Sequence, residues 1–266
     1  MRNRSRIDAI STDRQNCPMN HAWVDRYLRR IGLTGPAPLP ELHRAHLFTV
    51  PFENLSVHLG EDIVLTGDAL VAKVVDRRRG GFCYELNGAF ATLLTALGHD
   101  VEFLAARSHN ADGLGVPYDH MALRVGPWLV DVGFGAHSHH PLRLDHRDDQ
   151  EDPGGTFRVE EGPAGDLDIV KDGVPQYRLW SRPQTLGDFL AGCWWHRTSP
   201  SSHFTRSLVC SLTTVDGRVT LSDRTLITTV SGRRDERPLT GDAEVLAAYR
   251  DTFGVVLDQV PVRRSF

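Results

Sequence analysis

Cys83, His120 and Asp131 are the residue types that move an acyl group between carriers. A cysteine attacks a carbonyl carbon as its thiolate, and a helix N-terminus favours that form because unpaired N–H groups and the helix dipole stabilise negative charge. Cys83 follows Gly80-Gly81 and opens the run CYELNGAFATLLTALG, where Leu86, Phe90, Leu93, Leu94 and Leu97 recur at helical spacing. The spacing predicts a helix with Cys83 in its first turn. The two glycines, lacking a Cβ, would let a substrate approach the backbone there.

His120 and Asp131 fall in HMALRV and WLVDVGF, two apolar runs separated by Gly126-Pro127. If that pair forms a two-residue turn, Val125 faces Trp128 and His120 faces Gly133. Asp131 then lies two residues from that partner on the same face, about 7–8 Å away. A carboxylate so placed accepts an imidazole N–H, fixes its tautomer and stabilises its cation, which is the logic of a Cys-His-Asp acyl-transfer site. The residue types alone also permit a buried structural cysteine and two hydrogen-bonded structural residues.

The elements that must position these groups change character along the chain. From Trp23 to Leu97 the pattern is helical: Trp23, Tyr27 and Ile31 share a face before Gly32, a short helix fits 40–48, and GDALVAKVVDRR puts Leu70, Val71, Val74 and Val75 on one stripe with Asp68 as a candidate N-cap. Beyond residue 100 the runs VEFLAARSH, HMALRV, WLVDVGF, TFRVE, DLDIV and VPQYRLW read as strands of an antiparallel barrel or sandwich extending to about residue 182. A mixed region follows, with a helix near 185–193, strands at SLVCSLTT, RVTLS and RTLITTV, and a helix at GDAEVLAAYRDTF.

Composition narrows the function classes. The chain has 266 residues, 40% of them hydrophobic and 24% charged, an ordinary globular profile. Its formal net charge of −4 offers no global field for nucleic acid or anionic lipid, and no run is long and apolar enough for a membrane span. Four cysteines without a CxxC pair suit a reducing cytoplasm, and the N-terminus lacks the apolar core of a secretory signal. Of the 30 basic residues all but Lys73 and Lys171 are arginine, the bias of a GC-rich genome. Residues 1–18 read as a flexible N-terminal extension.

The run Arg79-Gly80-Gly81-Phe82-Cys83-Tyr84-Glu85-Leu86-Asn87-Gly88 resembles the active-site motif RGGxCxExNG of the arylamine N-acetyltransferases. Tyr27-Leu28-Arg29-Arg30-Ile31-Gly32, Val50-Pro51-Phe52-Glu53-Asn54-Leu55, Asp131-Val132-Gly133-Phe134-Gly135 and Thr198-Ser199-Pro200-Ser201-Ser202-His203-Phe204-Thr205 match the same family in order, from about residue 20 to the C-terminus. The resemblance implies an α+β fold: a helical bundle over 19–99 carrying Cys83, a central antiparallel β-barrel over 100–182 carrying His120 and Asp131, and a C-terminal α/β lid over 183–266; the arginine bias of a GC-rich genome points to a bacterial, actinobacterial member. It also implies a ping-pong transfer from acetyl-CoA, without a metal, to arylamines, arylhydroxylamines or hydrazines. Phe52 and Phe204 would wall the pocket, Phe134 and Gly135 would flank the cleft for the pantetheine arm, and Glu53 and Arg79 would form a structural ion pair. The His-to-Asp interval, 11 residues, is short for the family, and the tight Gly-Pro hairpin accounts for it.

Other readings stay open at this level. His137, His139 and His140 in AHSHH are zinc-ligand types, but without a CxxC partner or a helical His pair the tract reads as a polar loop. The amide synthases that close macrolactam rings in ansamycin-type biosynthesis resemble the same family and would use the same three residues on a carrier-bound chain. A non-catalytic binding module would have lost the nucleophile or the base. Oligomeric state, the acceptor and the oxyanion donors are not legible.

Overall fold

The computed structural model describes residues 22–264; the N-terminal extension read at 1–18 lies outside the described residues. Five helices form the N-terminal part: α1 (Ala22–Arg30), α2 (Leu39–Leu47), α3 (Leu55–Leu59), α4 (Gly67–Val71) and α5 (Cys83–Ala96). The GDALVAKVVDRR stripe does not form one regular helix. It starts at Gly67 after Thr66, so Asp68 lies inside the first turn and is not the cap, and it continues as a π-helical turn over Ala72–Asp76. The widened turn leaves Leu70, Val71, Val74 and Val75 buried and buries Lys73 as well.

The strand region opens with a two-residue strand, β1 (Phe52–Glu53), and continues with β2 (Val101–Asn110), β3 (Gly113–Leu114), β4 (His120–Val125), β5 (Trp128–Val130), β6 (Leu142–Arg143), β7 (Gln150–Asp152), β8 (Gly155–Glu161), β9 (Leu167–Lys171) and β10 (Val174–Gln184). Strands β2 and β4–β10 make one antiparallel sheet in the order β6-β5-β4-β2-β10-β9-β8-β7, and β3 pairs with β2. Its edges meet: the Gln150 side chain on β7 accepts from Arg143 N at 2.7 Å and donates to Arg143 O at 3.0 Å on β6. This nearly closes a barrel around Leu104, Phe157, Val159, Ile169, Tyr177 and Leu179.

The last part contains α6 (Leu190–Thr198), α7 (His203–Arg206), β11 (Val209–Thr214), β12 (Gly217–Ser222), β13 (Thr225–Val230), β14 (Arg233–Pro238) and α8 (Asp242–Phe253). The sheet β1-β11-β12-β13-β14 includes β1 from the helical part, so Phe52 is fixed by the lid as well as by its own neighbours. Helix α8 covers this sheet through Val245, Ala248, Tyr249 and Phe253. β14 has no counterpart in the sequence reading, because RRDERP is exposed along its whole length and carries no apolar alternation. The largest hydrophobic cluster joins α1, α2, α4 and α5 to Met121, Leu123 and Val130 of the barrel, which locks the helix that begins at Cys83 against the hairpin that holds His120.

Candidate active site

Cys83 opens α5, as the apolar spacing predicts, and lies buried at the wall of a cavity. The turn is held from behind by Glu85, whose Oε2 accepts the Phe82 N–H at 3.3 Å while Oε1 accepts from the buried Lys73 ammonium. Burial pushes the Glu85 carboxyl up and the Lys73 charge opposes it. Gly80 and Gly81 do not open the backbone to a substrate. Their space is filled by the protein: a Cβ on Gly80 would lie 1.7 Å from Pro51 O, and one on Gly81 would lie 2.6 Å from Glu85 Cβ and Oε2. Gly80 lets the Pro51–Glu53 segment lie against the Cys83 turn, where Glu53 N–H donates to Gly81 O at 2.9 Å, and Gly81 leaves room for the Glu85 side chain. Glu53, fully buried, accepts from Arg79 Nε at 2.9 Å and from Leu55 N at 2.7 Å, the structural pair the sequence suggested.

The Gly126-Pro127 hairpin has the expected register, Val125 opposite Trp128 and Leu123 opposite Val130. The ladder stops at Val130, one residue before Asp131. From there side chains take over the backbone bonds: Asn87 Oδ1 accepts Val132 N–H at 3.0 Å and Asp131 Oδ1 accepts Gly133 N–H at 2.9 Å. His120 Nε2 donates to Asp131 Oδ2 at 2.7 Å, and both side chains are buried. Nδ1 is left for the Cys83 side chain. Burial opposes the His120 cation, but the Asp131 charge, its hydrogen bond and the hydrogen bond with Cys83 outweigh it and raise the imidazole well above its ordinary value. Burial likewise opposes the Asp131 charge, and His120 with Asn87 holds the carboxyl far below the usual carboxylate range.

Gly133 is the close approach that lets the two halves meet. A Cβ there would lie 2.7 Å from Cys83 Cα and 2.7 Å from Asn87 Nδ2, so the loop after Asp131 rests on the Cys83 turn itself.

Asp131 is held by residues that the sequence reading did not single out. Asn87 Nδ2 donates to Asp131 Oδ1 at 3.0 Å and to Met121 O at 2.6 Å. Asn87 lies four residues after Cys83, on the same helical face, and that spacing was the available signal. Tyr177, on β10, donates its hydroxyl to Asp131 Oδ2 at 3.1 Å. His43, on α2, donates from Nδ1 to His139 O at 3.0 Å, and its Nε2 lies against the Asp131 backbone, 3.2 Å from the carbonyl oxygen and 3.3 Å from the N–H that it accepts when neutral. Burial lowers the His43 pKa and keeps it neutral, as that pairing requires.

The cavity beside Cys83 and His120 measures about 800 Å³, and Phe52, Phe134, Phe204 and Trp195 supply its aromatic wall. Gly135 is not part of that wall; its φ of +98° turns the chain after Phe134. Phe204 is set by the lid, where Ser202 Oγ accepts the Phe204 N–H at 3.2 Å and sits 3.1 Å from His196 Nδ1. The AHSHH tract is a loop, as expected, but one turned inward: His137 and His139 are buried, and only His140 is exposed enough to pair at its surface with Asp152. His137 packs against Phe157 and Tyr177, and aromatic contact replaces hydration. Among the described residues no cluster of three or more His, Cys, Asp or Glu side chains is placed to hold a metal ion. No helix of the described residues is long and apolar enough to cross a membrane.

A family model described as N-acetyltransferase matches residues 37–262, and fold and match together define an acyltransferase. The arylamine N-acetyltransferase of Mycolicibacterium smegmatis is 37% identical over 256 residues, covering 89% of this chain and 93% of that protein. The solved structure of the M. smegmatis arylamine N-acetyltransferase superposes with a TM-score of 0.79 at 34% identity, over 87% of this chain and 92% of that one. That of Mycobacterium marinum arylamine N-acetyltransferase in complex with CoA gives 0.78 at 31% identity, again over 87% and 92%. The chain belongs to the arylamine N-acetyltransferase family.

Proposed function

We propose that the chain transfers an acetyl group from acetyl-CoA through a Cys83 thioester to arylamines, arylhydroxylamines or hydrazines, by a ping-pong order. The observation that carries this reading is the buried His120–Asp131 bond of 2.7 Å, opening on the cavity that Cys83 shares. It supplies a base of fixed tautomer beside a thiol at a helix N-terminus. The relatives' activity, and the CoA bound by the M. marinum protein, support the donor.

In the first half-reaction the Cys83 sulfur forms a bond to the acetyl carbon, the bond from that carbon to the CoA sulfur breaks, and the departing thiolate takes the His120 proton. In the second the amine nitrogen forms the new bond, the Cys83 thioester breaks, and the amine's proton passes to His120 as the thiolate returns. Asp131 holds the imidazole orientation through both halves. Phe52, Phe134 and Phe204 bound a flat apolar acceptor. Residues 19–99, 100–182 and 183–266 act as nucleophile bundle, base-carrying barrel and lid. A reducing cytoplasm suits the unpaired thiol.

Intact mass after incubation with acetyl-CoA alone, and again after an arylhydrazine is added, tests the scheme. The reading requires an increment of roughly 42 Da on Cys83 that the hydrazine removes. A thiol that still alkylates but gains no acetyl group refutes the acetyl donor in favour of a carrier-bound acyl chain.

A further inference from the structure

The AHSHH tract places a buried imidazole at the far end of the Asp131 hydrogen bonds. The Tyr177 hydroxyl lies 3.1 Å from Asp131 Oδ2 and 3.3 Å from His137 Nε2. An ionised carboxylate only accepts, so the one phenolic hydrogen points to Asp131. The contact with His137 is then a hydrogen bond only if Nε2 carries the proton and donates it to the Tyr177 oxygen. The other ring nitrogen agrees: Nδ1 sits 3.1 Å from Ser138 Oγ, a hydroxyl able to donate to it. The ring is fixed by packing, with Tyr177 stacked at a centroid distance of 5.6 Å and Phe157 at 5.0 Å. Burial, with His120, His43 and Lys171 on the same side of the balance and Asp131 against it, lowers His137 to about 4 and keeps it neutral.

We propose that His137 is a positioning residue for acyl transfer, donating Nε2–H to Tyr177 in a one-way chain, His137 to Tyr177 to Asp131, that moderates the basicity of His120. A hydroxyl that accepts a hydrogen bond becomes a stronger donor. Tyr177 and His120 donate to the same Asp131 oxygen, so charge drawn toward Tyr177 is withdrawn from His120. The inference rests on His120 being the proton carrier. In the acetyl-enzyme His120 must be neutral to accept the amine proton, and a more basic imidazole stays cationic and idle to higher pH.

Two measurements decide it. In the resting wild-type protein, 15N-histidine NMR, with the His137 signal assigned by its loss in His137→Gln, reports the tautomer. The chain requires the Nε2–H form, and an Nδ1–H form overturns it whether or not the protein acetylates anything. The second is the pH profile of acetyl-enzyme decay with an arylhydrazine. His137→Phe keeps the ring packing and removes the donor, and its acid limb is expected to move up by about 0.2 to 0.6 pH unit, while His137→Gln restores it. An unmoved limb in His137→Phe, or an equal shift in both variants, overturns the chain. If His137→Phe does not fold, Tyr177→Phe replaces it. The limb then shifts in the same direction, and adding His137→Leu, which has no donor, to Tyr177→Phe moves it no further; an added shift refutes the coupling. Absence of any acetyl-enzyme refutes the functional reading and leaves the NMR result to judge His137.

Discussion

Asp131→Asn separates charge from shape at the centre of the site. The two carboxylate oxygens accept four hydrogen bonds: Oδ2 from His120 and Tyr177 at 2.7 and 3.1 Å, and Oδ1 from Gly133 and Asn87 at 2.9 and 3.0 Å. An amide replaces one acceptor by a donor. Turned toward Gly133 and Asn87, its NH2 faces two N–H groups that have nowhere else to go, at about 1–3 kcal/mol each. Turned toward His120, it is received by the imidazole after a tautomer change, and the Tyr177 hydroxyl can rotate. The second orientation therefore wins by a few kcal/mol. Its consequence is specific: Nε2 becomes the acceptor, Nδ1 carries the hydrogen, and no lone pair faces the Cys83 thiol.

The expected loss in acetylation rate is about 10³- to 10⁴-fold, equivalent to about 4–5.5 kcal/mol in the barrier. Single-turnover acetylation by acetyl-CoA, followed by quenched intact-mass measurement, reads that rate directly. The thermal midpoint, measured alongside, is expected to show a folded protein, since the variant is nearly isosteric. A folded Asp131→Asn protein that acetylates within tenfold of wild type would show that neither the tautomer nor the charge of this pair matters to the reaction.

Three further outcomes are expected. Gly133→Ala puts a methyl carbon 2.7 Å from Cys83 Cα, which forces the loop off the Cys83 turn and should lower turnover on the order of 100-fold with a smaller effect on melting; unchanged kinetics would show that the loop tolerates the displacement. Iodoacetamide near neutral pH should label Cys83, which faces the cavity, ahead of Cys193 and Cys210, because burial pushes Cys193 up to about 12 and Cys210 well above its usual range; comparable rates in peptide mapping would contradict this. Stability should fall as the solution is acidified from pH 6.5 toward 4. Burial holds His46 down to about 3, His137 down to about 4 and His43 below its ordinary value, so over that interval the unfolded chain binds protons that the folded chain refuses. Each contributes about 1.4 kcal/mol per pH unit at most, and denaturant midpoints that stay flat from pH 7 to 5 would refute neutral burial.

What the sequence showed of the site was what local pattern can encode. The apolar spacing after Cys83 places the thiol at a helix start, and the Gly-Pro turn fixes the register from Val125–Trp128 back toward His120, both as found. The ladder's end at Val130 was not legible, because it depends on Asn87 and His43, side chains from other elements, capturing the backbone of Asp131 and Val132. The GDALVAKVVDRR stripe had the right buried face, but the π-helical turn follows from accommodating a buried Lys73 against Glu85, a tertiary demand. The Gly80-Gly81 pair was noticed for its lack of Cβ and given the wrong neighbour, since only the fold brings Pro51 O to Gly80 and turns the Glu85 side chain onto Gly81.

The same distinction explains the histidines. A histidine reads as polar in a sequence, and AHSHH read as a polar loop, yet His43, His46 and His137 lie buried. His43 can be buried because two backbone groups 88 and 96 residues away in sequence take its two nitrogens, and His137 because Tyr177, 40 residues on, takes one of its own. A buried neutral imidazole with both nitrogens engaged also has a fixed tautomer, so a group that satisfies itself in the core transmits orientation to whatever it touches. Here both chains of contact end on Asp131, through its backbone from α2 and through its carboxylate from β10. The carboxylate that orients His120 is thus itself oriented from two sides, and a volume-conserving loss on either side should alter the site's pH behaviour before it alters the fold.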